Sequence, residues 1–148
     1  GHPFTGFLYA GLALTSEGPK VIEFNVRLGD PETQAILPRM TTDFVDVLEG
    51  ATPDWSEMAT VNLVLAARGY PTSPENGAVI KGLERVPDDV IVFHAGTKRD
   101  GKKLLVNGGR VLNLVGTGAT VDEARSRAYE AAKTVTFPGV QFRTDIAS

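Results

Sequence analysis

Val21-Ile22-Glu23-Phe24-Asn25-Val26-Arg27-Leu28-Gly29-Asp30-Pro31-Glu32-Thr33-Gln34 is the stretch on which the reading of this chain turns. It begins as a buried strand and ends as a loop rich in charge. Side chains alternate across a strand, so Glu23, Asn25 and Arg27 share one face while Ile22, Phe24 and Val26 share the other. Polar groups on one face of an apolar strand are costly to bury unless something pairs with them. A carboxylate and an amide oxygen at this spacing suit a hard divalent cation such as Mg2+, which takes oxygen ligands. An arginine one step further suits a phosphate or an acyl phosphate, gripped by parallel hydrogen bonds. The triplet equally fits a strand whose polar face is simply solvated, as is common in antiparallel sheets. The loop Gly29-Asp30-Pro31-Glu32 adds two carboxylates at a helix start, where free N–H groups favour anions. Asp30 fits the N-cap and Pro31 the first helical position, which is also what an ordinary capped helix without any ligand requires.

Outward from this stretch, Gly6 to Thr15 reads as a strand and Lys20 to Val26 as its returning partner, joined by the turn Ser16-Glu17-Gly18-Pro19. Pro38 ends or kinks the short helix after Pro31. Thr42 to Glu49 reads as a second helix with Phe44, Val45, Val47 and Leu48 as its apolar side. Gly50-Ala51-Thr52-Pro53-Asp54 is a linker and sets the boundary between two regions. The second region is mostly β. Ala59 to Arg68 is a strand with Val61, Leu63 and Leu65 on one face, ended by Gly69-Tyr70-Pro71. Val90 to Lys98 and Lys103 to Val106 flank the turn Arg99-Asp100-Gly101-Lys102, and Arg110 to Val115 follows Asn107-Gly108-Gly109, a hairpin signal. A closing helix opens on Thr120-Val121-Asp122-Glu123, which fits a capping box. Its expected buried stripe is Val121, Ala124, Ala128, Ala131 and Val135, and Phe137-Pro138-Gly139 stops it.

Composition narrows the function classes. The chain has 148 residues, 42% hydrophobic and 22% charged, as expected for a packed core. A net charge of -3 without any basic run argues against a general nucleic-acid binder. The absence of cysteine excludes disulfides, thiol catalysis and cysteine metal sites. No apolar run approaches the ~20 residues that cross a bilayer, so no membrane partner is expected, and no signal peptide is visible. The opening Gly1-His2-Pro3, running almost at once into a strand, leads us to expect the C-terminal part of a longer protein. His94 reads as a structural histidine on the face of Val90 and Val92. Trp55 and Tyr129 read as packing residues, and Glu123, Arg125, Arg127 and Glu130 as the solvated face of the last helix.

Together these residues carry a resemblance. Phe7-Leu8-Tyr9-Ala10-Gly11-Leu12 followed by the stretch Val21 to Gln34 resembles the end of the ATP-grasp domain of the glycinamide ribonucleotide synthetase (phosphoribosylamine–glycine ligase) family. The resemblance continues through Leu65-Ala66-Ala67-Arg68-Gly69-Tyr70-Pro71, Val92-Phe93-His94-Ala95-Gly96-Thr97 and Asn107-Gly108-Gly109-Arg110-Val111-Leu112. It reaches Gln141-Phe142-Arg143-Thr144-Asp145-Ile146 and so covers nearly the whole chain.

That resemblance implies an α+β fold, with 1–53 as the C-terminal part of an ATP-grasp domain and 54–148 as a small β-rich domain with one long helix. It implies the ATP-dependent joining of glycine to 5-phosphoribosylamine through glycyl phosphate, giving glycinamide ribonucleotide, ADP and phosphate in purine biosynthesis. Glu23 and Asn25 would hold Mg2+ or Mn2+, and Arg27 would stabilise the transferring phosphoryl. Asp30, Pro31 and Glu32 would lie near the amino acid and phosphoribosylamine, with Asp30 orienting an amino group. Ile22 would form part of the adenine pocket wall, its alternative being plain core. The strand Gly6 to Thr15 carries no acid, so further metal ligands lie elsewhere. The glycine-rich lid and phosphate-binding lysines of the family are upstream of this chain, so the fragment is expected to be inactive alone. A cytoplasmic monomer is expected, and the tail Asp145-Ile146-Ala147-Ser148 favours a single-function parent. The rival readings are another ATP-grasp carboxylate–amine ligase and a non-catalytic module without the upstream half. On the main reading, site residues concentrate before Gln34 and substitutions after Pro53 mainly cost stability.

Overall fold

A computed structural model describes residues 1–148. Its first elements are two antiparallel strands, β1 (Tyr9–Thr15) and β2 (Gly18–Asn25). The turn tightens to Ser16-Glu17, with Thr15 opposite Gly18, and a bulge shifts the register between Gly11 and Leu12. The hairpin is as the sequence predicts, but the expected burial is not there. No residue of β2 is buried; Ile22 is 71% exposed and Val26, just past the strand, 73%. The reason is that no other strand or helix of the chain packs on the hairpin; only the Gly29–Glu32 loop lies against the Tyr9 ring. Arg27 also falls beyond the end of β2, so strand alternation does not set its direction.

The next segment is short and irregular. A four-residue helix, α1 (Thr33–Ile36), runs into a single 3-10 turn at Leu37–Arg39, where Pro38 interrupts it as expected. A second short helix, α2 (Phe44–Leu48), is capped by the Asp43 carboxylate, which accepts from the Val45 N–H at 2.7 Å. Its apolar side is largely uncovered, with only Phe7 stacked on Phe44 at 5.8 Å between ring centroids. Trp55, expected to pack, is also exposed, and only its backbone bridges to Met40.

The remaining strands are β3 (Ala59–Ala66), β4 (Val79–Ile80), β5 (Val90–His94), β6 (Thr97–Asp100), β7 (Lys103–Val106) and β8 (Arg110–Gly118), followed by α3 (Val121–Thr134). They form two antiparallel three-stranded sheets, in the orders β3-β8-β5 and β4-β7-β6. Two expectations are corrected here. The run Val90 to Lys98 is two strands in different sheets, broken at Ala95-Gly96. Asn107-Gly108-Gly109 is not a hairpin turn, because β7 and β8 never pair. Gly96 and Gly108 instead lie backbone to backbone where the chain passes between sheets; a Cβ on Gly96 would sit 2.8 Å from the Gly108 Cα. Gly108 also has φ 156°, which side chains rarely adopt, so both its backbone conformation and the close approach to Gly96 require glycine there.

The core lies in the second region. Val61, Leu63 and Leu65 alternate inward from β3 as predicted, and Val111 to Val115 of β8 are almost wholly buried. Each fully buried leucine contributes about 2 kcal/mol. Ala124, Ala128 and Ala131 bring α3 close to β8, so close that a Cβ on Gly116 would collide with the Ala124 carbonyl oxygen. The Thr120 hydroxyl accepts from the Glu123 N–H at 3.2 Å, and the Glu123 carboxylate accepts from the Ala119 N–H at 2.8 Å, one residue earlier than an ideal box. Val121, expected in the stripe, is exposed at the first helical turn, and Ala132 is buried in the lower part of the helix. Arg125 and Arg127 are not merely solvated. Arg125 donates to the carbonyls of Ile146 and Thr144, and Arg127 to that of Thr117, tying the helix to the tail and to β8.

Candidate active site

Hairpin register brings the first site residues together. Tyr9 stands opposite Asn25, and Gly11 opposite Glu23. A Cβ on Gly11 would lie 3.2 Å from the Glu23 Cγ and 3.5 Å from the Tyr9 ring. A Cβ on Gly29 would lie 2.5 Å from the Glu32 Oε2 and 3.1 Å from the other edge of that ring. The Tyr9 ring thus spans the gap between two glycines, with Glu23 at one side and Glu32 at the other. Partial desolvation, then the Glu32 carboxylate through its charge and a hydrogen bond, then Glu23, push the Tyr9 phenol above its ordinary value of 10.0; Arg27 opposes them. Two carboxylates, a phenol and a guanidinium therefore converge. Tyr9 is a candidate that sequence reasoning does not single out and that the structure places beside Glu23 and Glu32. Its only signal is an aromatic placed across from Asn25 in the hairpin register.

The donor set fits a cation shared with phosphates. Glu23 makes no ion pair within the chain. The Asn25 Nδ2 is buried with no hydrogen-bond partner, which a phosphate oxygen or a residue outside this chain would satisfy. No group of three acidic or histidine side chains is arranged to hold a cation by itself. The remaining oxygens of a six-coordinate cation would come from phosphates, water or another part of the protein. Arg27 is folded back, donating from Nη1 to the Leu28 carbonyl at 2.8 Å.

The loop after it differs from expectation. Asp30 does not cap a helix: the N-cap position of α1 is Glu32, which makes no side-chain cap bond. Thr33 N–H is bonded to the Gly29 carbonyl at 3.1 Å, and Ala35 and Ile36 N–H both to Glu32 at 3.0 Å. So short a helix, with its first amides already used, is no anion site. The Asp30 carboxylate instead accepts from Gln34 Nε2 at 3.0 Å and lies 3.5 Å from Arg110. Pro31, joined to Asp30 by a cis peptide bond, offers its carbonyl to Asn62 at 2.8 Å. Ile22 is on the outer surface of the hairpin and is not core. His94 is exposed, with Nδ1 3.2 Å from the Thr97 hydroxyl and no acidic partner, in keeping with a structural role.

Comparisons with known proteins agree along the whole chain. Residues 60–148 match the family model described as phosphoribosylglycinamide synthetase, C domain, and residues 1–33 that described as its ATP-grasp (A) domain. A phosphoribosylamine–glycine ligase of Halalkalibacterium halodurans is 51% identical over 98% of this chain and 35% of its own length. Its counterpart in Caulobacter vibrioides is 46% identical over 99% of this chain and 37% of its own. The crystal structure of a phosphoribosylamine–glycine ligase from Thermotoga maritima superposes with a TM-score of 0.79 at 43% identity, over 95% of this chain and 36% of that one. An N5-carboxyaminoimidazole ribonucleotide synthetase from the same organism, at 18% identity and a TM-score of 0.58, shares the fold. The chain thus spans 35% to 37% of the length of the curated relatives. Since the C-domain model alone covers more than half of it, the chain belongs to the phosphoribosylglycinamide synthetase family.

Proposed function

We propose that this chain is part of a cytoplasmic, monomeric phosphoribosylamine–glycine ligase, with 1–53 completing the ATP-grasp domain and 54–148 forming the domain that follows it. The observation that carries the reading is the Glu23–Asn25 pair: a carboxylate with no protein counter-ion beside an amide with a buried, unpartnered nitrogen. Family membership supports it.

In the proposed reaction a glycine carboxylate oxygen attacks the γ-phosphorus of ATP and ADP leaves, giving glycyl phosphate. The amine of 5-phosphoribosylamine then attacks the carbonyl carbon, and phosphate departs with the C–O electron pair as the C–N bond forms, taking up the proton that the amine nitrogen loses. Mg2+ or Mn2+ at Glu23 and Asn25 would offset the charge on the phosphates. Arg27, released from the Leu28 carbonyl, would reach the transferring phosphoryl and the acyl phosphate. Tyr9, a neutral phenol at neutral pH as tyrosine ordinarily is, lies between Glu23 and Glu32 and keeps the two carboxylates apart. Asp30, Pro31 and Glu32 border glycine and phosphoribosylamine, Asp30 orienting an amino group, and Ile22 joins the adenine pocket wall.

The test is ADP formation by the complete protein, with and without glycine and phosphoribosylamine. ADP release should need both substrates, and Glu23→Gln should lower it by about 100-fold or more while the protein stays folded. Release indifferent to glycine would assign another carboxylate to this ATP-grasp site, and a folded protein that makes no ADP would leave a non-catalytic module.

A further inference from the structure

Three side chains of the β3–β8 pair end on backbone carbonyls of the segment that carries Asp30, Pro31 and Glu32. Arg110 Nη1 donates to the Asp30 carbonyl at 2.9 Å, Asn62 Nδ2 to the Pro31 carbonyl at 2.8 Å, and the Thr60 hydroxyl to the Ala35 carbonyl at 2.7 Å. Arg110 also lies 3.5 Å from the Asp30 carboxylate, so one guanidinium grips both the backbone and the side chain of that residue. Asn62 is braced from behind. Its Nδ2 donates a second hydrogen to Asn113 Oδ1 at 3.0 Å, and Asn113 is 1% exposed between Leu112 and Leu114.

This arrangement is not what stability alone would select. With both amide hydrogens used, the Asn62 Oδ1 is left buried with no partner. A half-satisfied polar pair in an apolar sheet is worse for stability than an apolar pair of similar size. What the pair provides is direction: it fixes one carbonyl of a loop with almost no regular structure of its own. Neither Asn62 nor Arg110 engages the Glu32 carboxylate, which stays beside the Tyr9 ring. Asn62, Arg110 and Pro31 also line one cavity of about 540 Å3, so this support borders open space rather than solid core.

We propose that Arg110 and Asn62 are positioning residues, which hold the Gly29–Glu32 loop in the shape that meets glycine and phosphoribosylamine. The proposal rests on the ligase reading of that loop. It places residues that set substrate affinity in the second region, after Pro53, where the sequence predicts effects mainly on stability.

The complete protein tests it with Arg110→Ala and Asn62→Leu, the second conserving volume so that the fold is kept. Amide exchange at Thr33 and Ile36, whose N–H groups bond to Gly29 and Glu32, reports the loop; exchange at Ala128 and Ala131 reports the helix behind the sheet. In both variants the loop amides should exchange about tenfold faster with the helix unchanged, and KM for glycine or phosphoribosylamine should rise about tenfold or more, as small misplacements do. KM for ATP should stay within about twofold, and Arg110→Lys should recover part of the loss, since one donor still reaches the carbonyl. Unaltered loop exchange, unaltered KM values, or an equal rise in KM for ATP would each overturn the proposal. Failure of the ligase reading shows separately, as glycine-independent ADP release by the unmutated protein.

Discussion

Strands β2 and β8 read alike as apolar strands, yet β2 buries none of its residues and β8 buries nearly all of them. The apolar side chains of β8 find their partners within the chain, in β3, β5 and α3. Those of β1 and β2 do not: Leu14 is 87% exposed and Phe24 62%. The chain spans little more than a third of its relatives' length, and within it no other strand or helix covers the hairpin. The difference teaches that the two tasks are divided. The residues with chemistry to offer, Glu23, Asn25 and Tyr9, stand on the part that cannot stabilise itself, and the part that can stabilise itself reaches across with Arg110 and Asn62.

The sharpest way to break this comparison is to cut the chain. A piece from Ala59 to Ser148 should show a cooperative thermal transition by circular dichroism, and a piece from Gly1 to Pro53 should show none; a hairpin piece that melts cooperatively would refute the division. Next in size, Gly116→Val should cost about 3 kcal/mol or more in urea unfolding, because the new side chain strikes the α3 backbone. Phe24→Ser should change the stability of this chain by less than about 0.5 kcal/mol, but should destabilise the complete protein by about 2 kcal/mol or more once that side chain has a partner.

The smallest effect is in the tail. Arg143 forks onto Asp145 at 2.6 and 2.9 Å and holds its carboxyl below the ordinary 3.8. A carboxyl that gives up its proton more readily when folded favours the fold above that ordinary value. The contribution is lost as pH falls through the folded pKa. Both groups are exposed, so the ion pair is weak and screened by salt. Titration of Asp145 by NMR should show the depressed pKa at low salt and its return toward 3.8 at about 1 M salt.

What was legible in the sequence was what local pattern dictates. The alternation Val61, Leu63, Leu65 reads directly as the inner face of β3, and Thr120 with Glu123 reads directly as a helix start. Pairing between distant segments was not legible. Asn107-Gly108-Gly109 has the composition of a hairpin turn, but its glycines serve a crossing against Gly96. β4 is two residues long and has no periodicity to read. Ile22 and Phe24 look like core because apolar character marks burial without saying which molecule, or which part of one, does the burying. In the site, Glu23 and Asn25 were legible as a spaced pair. Arg110 was not, because it reaches Asp30 from 80 positions away, and nothing near it in sequence marks the loop it holds.

The hairpin has one more consequence, for handling rather than catalysis. β1 and β2 form a sheet of two strands, so each has an open edge, and the face that carries Ile22 and Phe24 is apolar and exposed. An uncovered edge beside an apolar face is a template on which further copies add as strands. Made without its companion sequence, this chain should therefore self-associate through residues 9–25 in a concentration-dependent way, and lysines placed at Leu14 and Val21 should keep it dispersed.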